Sequence, residues 1–194
     1  TELFGIERRA GKGLRLATTR GELLTEQVVL ATGSWSERLG RVLGLRIPIL
    51  GAKGYSLLLP RLAAHPSRSL NLAERKVAVN PQADALRIAG TLELVRDDLS
   101  INRRRVAAIE RAVRAMLAVP AAATVRELWR GLRPCTPDGM PLIGRARGHG
   151  ELWLATGHQM TGLKTAPSTG RLLAELLTGA EPSFDPEPFR ADRY

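Results

Sequence analysis

The run Val28-Val29-Leu30-Ala31-Thr32-Gly33 constrains the fold more than any other stretch of this chain. Four apolar residues in succession, with no polar alternation, describe a strand buried on both faces, as in a parallel sheet with helices on each side. Gly33 stops the strand. Ser34, followed three residues later by Glu37, predicts a capping box that opens a short helix to about Leu43. Upstream, Leu14, Leu16 and Thr18 alternate as a strand, and Arg20-Gly21-Glu22 reads as the turn between it and the apolar run. Gly11-Lys12-Gly13 reads as a plain turn between two strands.

Residues 45–125 differ in character. Stretches such as residues 55–59 and 86–90 alternate and are broken by Pro60, Pro66 and Pro81, the pattern of an antiparallel sheet. Val106, Ile109, Val113, Met116 and Leu117 recur at steps of three and four within residues 100–119, which predicts an amphipathic helix ending before Pro120, its arginine face in solvent. The last third returns to short alternating elements: residues 125–130, a loop over residues 131–139, a strand near residues 152–155, and a helix from about Gly162 to Thr178. Leu173, Leu176 and Leu177 lie on the buried face of that helix, and Gly179 is its stop signal. The tail after Glu181 is expected to be extended and packed on the surface. No internal repeat stands out.

Composition removes several function classes. The single cysteine, Cys135, excludes an internal disulfide and a thiolate metal cluster, and His65, His149 and His158 show no short ligand spacing, so no metal is expected. No stretch approaches the roughly 20 apolar residues that cross a bilayer. The net charge of +10 raises the question of an anionic partner. Only four of the 29 basic residues are lysine, and the arginines are scattered from Arg8 to Arg193, with one tight run at Arg103-Arg104-Arg105. No aromatic interleaving accompanies them, so nucleic acid is not expected as a partner.

Three separated segments resemble one family. Residues 28–36, VVLATGSWS, resemble a strand and turn of the D-amino-acid oxidase superfamily. Residues 131–144, GLRPCTPDGMPLIG, resemble its "GLRPxTPDGxPxIG" motif, and residues 152–170, LWLATGHQMTGLKTAPSTG, its flavin loop and following helix. All three occur in the family's order and spacing. The resemblance, to the D-amino-acid dehydrogenase and glycine oxidase group, implies an α+β and α/β fold: part of a Rossmann-like FAD-binding domain (1–44 and 126–194) and an antiparallel-sheet substrate domain (45–125). It also implies noncovalent FAD, hydride transfer from the Cα of a D-amino acid to the flavin, and release of a 2-oxo acid and ammonia; oxidation of another amine of the D-hydroxyproline, sarcosine or glycine type, or a non-catalytic subunit or fragment, is the alternative. A quinone or electron-transfer acceptor, self-association, and a cytoplasmic or inner-membrane-surface location follow from the same resemblance. Members begin with a GxGxxG turn that holds the pyrophosphate. No GxGxxG occurs here, so this polypeptide alone is expected to be colourless, inactive and unable to retain FAD, whether the unit is truncated or lies on another chain.

Site residues follow position by position. The resemblance implies cofactor contacts at Leu3, Gly33, Trp35 and the loop Gly157, His158, Gln159, Met160, Thr161, Gly162, Leu163 and Lys164. It implies a substrate-binding role for Arg133, whose planar guanidinium can hold an α-carboxylate through two parallel hydrogen bonds; pairing with Asp138 is the plainer alternative. Met160 stands where glycine oxidases carry a second arginine, and Ala78 where they carry a carboxylate-binding tyrosine. Lys53-Gly54-Tyr55-Ser56 resembles the "KGYS" of the dehydrogenases, with Tyr55 either lining the substrate pocket or packing in the core. Lys164 either adds charge near the flavin or is solvated; His158 is a structural or cofactor-packing group or a general base. The sarcosine-oxidase cysteine that binds flavin covalently lies elsewhere, so Cys135 reads as a small loop residue. No residue is assigned as a catalytic acid or base.

Overall fold

The alternating residues 14–18 and the apolar run after them enter two different sheets. The computed structural model describes residues 1–9 and 13–194; the turn expected at Gly11-Lys12-Gly13 therefore lies, for Gly11 and Lys12, outside the described residues. Strands β1 (Leu3–Arg8), β2 (Leu14–Thr18) and β3 (Gly21–Thr25) form an antiparallel meander. The sequence pattern missed β3 because Leu23 and Leu24 both remain exposed, so no buried face marks it. Thr18 Oγ1 donates to Gly21 O at 2.7 Å and tightens the turn that leads into it.

Strand β4 (Val28–Leu30) pairs in parallel with β11 (Leu152–Thr156), and β10 (Leu142–Arg145) pairs antiparallel on the other side of β11. Parallel pairing follows the apolar run. Burial on both faces does not: Leu30 enters a core with Leu14, Ile47, Leu142, Leu152 and Leu154, whereas Val29 is 38% exposed. The helix after β4, α1 (Ser36–Val42), starts two residues beyond the expected cap. Gly33, at φ +57°, throws the chain into a 3-10 turn over Gly33–Trp35, which puts Ser34 inside the turn, and Glu37 pairs with Arg41 at 3.0 Å instead of capping. Helix α3 (Gly162–Thr178) has the bounds its pattern predicted and seats Leu172 and Leu173 against Ile143 and Trp153.

These elements belong to one compact unit, residues 1–50 with 133–194; residues 51–132 form a second. In the second, β5 (Leu50–Pro60), β6 (Leu70–Leu72), β7 (Val77–Pro81), β8 (Ala85–Leu94) and β9 (Glu127–Cys135) make a five-stranded sheet in the order β6-β7-β8-β5-β9. Pairing is antiparallel between β6 and β7, β7 and β8, and β5 and β8. Helix α2 (Arg103–Met116) packs Ile109 and Val113 onto Tyr55, Leu57, Val77 and Ile88. It begins three residues later than the periodicity suggested, because the backbone of the preceding segment is already engaged: Ser100 O accepts from Lys53 Nζ at 2.8 Å and Asn102 N donates to Tyr55 Oη at 3.0 Å. Asn102 Oδ1 then caps the helix by accepting from Arg105 N.

The loop expected at residues 131–139 is half strand. Strand β9 runs to Cys135, which forms an isolated bridge with His158, and only then does the chain turn, with Thr136 Oγ1 donating to Met140 O at 2.7 Å. Glycine and proline in GLRPC suggested a loop, but the Gln159 N–H bond to Pro134 O and the Cys135–His158 bridge keep the segment extended. Among the described residues no helix is long and apolar enough to cross a membrane.

Candidate functional site

The tetrapeptide Leu-Ala-Thr-Gly occurs twice, at residues 30–33 and 154–157, and the structure gives the coincidence a use. Leu30 lies opposite Leu154 in the parallel pair, so both copies leave the sheet at the same level. Both glycines have positive φ, +57° at Gly33 and +83° at Gly157. A Cβ on Gly157 would stand 2.6 Å from Thr136 Cγ2, so the site tolerates no side chain there. Between the two ends Ser36, fully buried, joins Thr32 Oγ1 at 2.9 Å and Thr156 Oγ1 at 3.0 Å. Thr156 donates its proton to Gly33 O at 3.2 Å. Ser36 must therefore donate to Thr156, and Thr32 to Ser36. Replacing Ser36 with alanine breaks both links and leaves a buried hydroxyl short of a partner, an expected loss of about 1–2 kcal/mol that urea unfolding would measure.

The carboxyl ends of parallel strands are where ligands enter sheets of this kind. Ser34 Oγ, in the turn after β4, is buried without a hydrogen-bond partner among the described residues. After β11 the chain makes a loop pinned from below: Gln159, itself left-handed at φ +50°, donates its N–H to Pro134 O at 3.0 Å. His158 Nε2 meets Thr169 Oγ1 on α3 at 2.9 Å, and burial pushes the imidazole below its ordinary value, so it is neutral at pH 7. Thr161, the N-cap residue of α3, gives its hydroxyl to His158 O at 2.9 Å and makes no side-chain cap to the helix. The first N–H groups of α3, with no acid in that turn, thus keep their partial positive charge facing the loop.

Arg133, in β9 beside Pro134, has Nη1 buried and without a partner among the described residues. Burial lowers its affinity for its proton and the Cys135 thiol opposes this, but a guanidinium remains charged. Asp138 is not its partner. Arg193 from the C-terminal tail takes both Asp138 oxygens, through Nε at 2.8 Å and Nη2 at 3.0 Å, and holds that carboxyl well below the usual carboxylate range. Removing the clamp with Arg193→Met should loosen residues 190–194 and expose them to carboxypeptidase; equal resistance in both proteins would count against it. Because the Asp138 value is depressed on folding, its contribution is present above pH ~4 and is lost as pH falls below that.

Within one unit the fold therefore gathers Gly33, the loop Gly157–Gly162 and Arg133. Trp35, Met160, Leu163 and Lys164 belong to the same segments and are exposed, Leu163 at 94%. Leu3 sits in the separate meander, paired with Thr18. Tyr55 lies in the other unit, 1% exposed, its hydroxyl engaged with Asn102 N and Ser100 O. Sequence reasoning gave Ser34 only a capping role and passed over Ser36, Thr156 and Arg193; the duplicated Leu-Ala-Thr-Gly was the one available signal, and only for the hydroxyl chain.

Comparison with known proteins adds identity to this geometry. A model of the DAO family, described as FAD dependent oxidoreductase, matches residues 1–176. A D-amino acid dehydrogenase of Chromohalobacter salexigens is 39% identical over 191 residues, which are 97% of this chain and 45% of that protein. A glycine oxidase of Pseudomonas aeruginosa is 36% identical over 193 residues, 97% of this chain and 52% of that protein. The solved glycine oxidase from Geobacillus kaustophilus superimposes with a TM-score of 0.89 at 29% identity, covering 100% of this chain and 52% of that one. The L-proline dehydrogenase from P. horikoshii, 20% identical with a TM-score of 0.85 over 99% of this chain and 53% of its own, shares the fold. The chain spans about half the length of the curated relatives it matches.

Proposed function

Because this chain belongs to the DAO family of FAD dependent oxidoreductases, we propose that it supplies the flavin-ring loop and the substrate carboxylate clamp of an enzyme that oxidises amino acids, D-amino acids by preference. The observation that carries the reading is Arg133 Nη1, buried and unpartnered because Asp138 belongs to Arg193. A buried cationic donor without a partner costs stability unless an anion completes it, and an α-carboxylate has the matching planar fork.

The residues present fit FAD. Gly33 and Gly157 admit close backbone approach, Ser34 Oγ is a buried polar atom without a partner, and the uncapped start of α3 favours negative charge. When bound, FAD would supply the acceptor for a hydride, one hydrogen with its electron pair, from the amino acid. Gly157–Gly162 and the first turn of α3 would hold its ring and stabilise the charge gained on reduction. Arg133 would fix the carboxylate and so orient the Cα–H. His158, neutral and engaged with Thr169, positions the loop and is not needed as a base, since a neutral amine supplies its own electron push. FAD is expected to be noncovalent, with Cys135, whose thiol burial pushes up, remaining protonated.

Met160 in place of an arginine favours a D-amino acid over glycine, which needs more carboxylate contacts to compensate for its missing side chain. The test is anaerobic bleaching of flavin absorbance in the natural full-length polypeptide with D-alanine, glycine and sarcosine in turn. Bleaching fastest with D-alanine is the expected result; a faster response to glycine reverses the substrate preference, and no response to any of the three sinks the reading.

A further inference from the structure

Every N–H of the Arg193 guanidinium is engaged. Besides the two bonds to Asp138, Nη2 donates to Met140 O at 2.7 Å, and Nη1 donates to Pro141 O at 3.1 Å and to Arg190 O at 2.8 Å, which exhausts the donors of a guanidinium. All but one of these bonds end on residues 138–141. Tyr194 adds a further hold on the same turn: its hydroxyl accepts from Asp138 N at 3.3 Å, and its ring lies 4.9 Å from the Arg193 guanidinium.

Residues 137–140 are exposed, and among the described residues their other hydrogen bonds run only among themselves and to Thr136. The tail, by contrast, is anchored elsewhere. Phe189 packs against the cluster of Ile143, Trp153, Leu172 and Leu173, and Ala191 against the core that contains Leu142. The support therefore runs from tail to turn. On its inner side the turn meets the loop Gly157–Gly162. A Cβ on Gly157 would stand 2.6 Å from the methyl of buried Thr136 and 3.6 Å from Pro141 Cα, and a Cβ on Gly139 would stand 3.1 Å from Gln159 Nε2. Thr136 Oγ1 and Arg193 Nη2 share Met140 O as acceptor, so one carbonyl links the arginine to the methyl that faces Gly157. All of these residues belong to the first unit.

We propose that Arg193 is a positioning residue of the redox site: from the tail it holds the turn 136–141 against Gly157 and Gln159, and so fixes the loop that would carry the flavin ring. Its action runs through Thr136 and the turn, not through contact with the reacting atoms. Without Arg193 the exposed turn loses its outer support, and the loop above it gains freedom that a preorganised site excludes. The consequence for catalysis rests on the proposed function; the contact itself does not.

Two measurements separate the contact from its consequence. In the 194-residue chain, amide exchange over residues 157–162, where the Gln159 and Thr161 amides are hydrogen-bonded, should be about tenfold faster in Arg193→Met, the order expected for losing one charge-assisted hydrogen bond. Residues 77–90 of the second unit should be unchanged. Asp138→Asn keeps the shape of the carboxyl and weakens the clamp, so it should show the same pattern to a smaller extent even if Arg193→Met fails to fold. Arg190→Gln breaks the pairs with Glu187 and Asp192 within the tail and should leave residues 157–162 as they are. Faster exchange confined to residues 190–194 in the two clamp variants overturns the proposal. In the natural full-length polypeptide, Arg193→Met should weaken FAD binding about tenfold and lower kcat about tenfold, with the KM for D-alanine within about twofold of wild type. Unchanged FAD affinity and kcat, or a change in KM alone, also overturns it. A wild type that binds no FAD sinks the redox reading instead, and the exchange pattern still decides whether the tail holds the loop.

Discussion

On the proposed function, Arg133→Met is expected to raise the substrate KM on the order of a hundredfold while leaving flavin absorbance in place. Nη1 is already desolvated and unpartnered, so little further burial opposes substrate binding, and two charge-assisted hydrogen bonds to a carboxylate together contribute roughly 3 kcal/mol or more. At about 1.4 kcal/mol per factor of ten, that loss corresponds to the stated change. Arg133→Lys should fall between the two, because an ammonium retains the charge and loses the fork. The measurement is KM and kcat with a D-amino acid at saturating acceptor, and an unchanged KM in the methionine variant would remove the clamp from the mechanism.

Lys53→Met is expected to destabilise the second unit strongly. Lys53 is fully buried and its ammonium is enclosed by Asp98 at 2.7 Å, Glu93 at 3.1 Å and Ser100 O at 2.8 Å. Burial alone would lower its proton affinity, but the bonds from Asp98 and Glu93 outweigh this and hold it above the ordinary 10.5. Methionine fills a similar volume, so the cost comes from two carboxylates left facing each other without a cation. Breaking one side of a buried pair costs about 3–5 kcal/mol, and the partial exposure of Asp98 places this case near the lower end. Thermal unfolding should shift down by 10 °C or more for a unit of this size. Adding E93Q and D98N to Lys53→Met should recover much of the loss; no recovery would mean that the lysine stem, rather than its charge, matters.

The same cluster predicts an acid response. Asp98 is held at about 2, first by its bond to Lys53 and then by the backbone and hydroxyl of Ser100. A carboxyl depressed on folding stabilises above its unfolded value near 3.9 and loses that contribution as pH falls through the folded value. The wild type should therefore lose stability between about pH 4 and pH 2 with a slope that D98N lacks, measurable by urea midpoints across that range. Lys53 has the opposite sign, its contribution fading only above pH 10.5.

Much of this protein was legible as sequence because the relevant signals are local. The apolar run at Val28–Leu30 announces a parallel strand, although only one of its faces is buried and Val29 stays exposed. Helix α3 was readable to both ends, from apolar spacing and a glycine that takes the left-handed conformation after Thr178. The motif GLRPCTPDG marked Arg133 by type and neighbours. What the sequence could not decide were matters of pairing between distant residues. Whether Arg133 or Arg193 holds Asp138 is fixed by a tail that returns across 55 positions. The start of α2 at Arg103 rather than near Ser100 depends on Lys53 and Tyr55, roughly 45 residues earlier, taking the backbone groups that a longer helix would have used. The capping box failed because the left-handed Gly33 rotated Ser34 into a turn, and Ser36 instead found Thr156 across 120 positions. Local propensity sets which elements form and approximately where; hydrogen-bond partners and unpaired charges emerge only when remote segments compete for the same donors and acceptors in space.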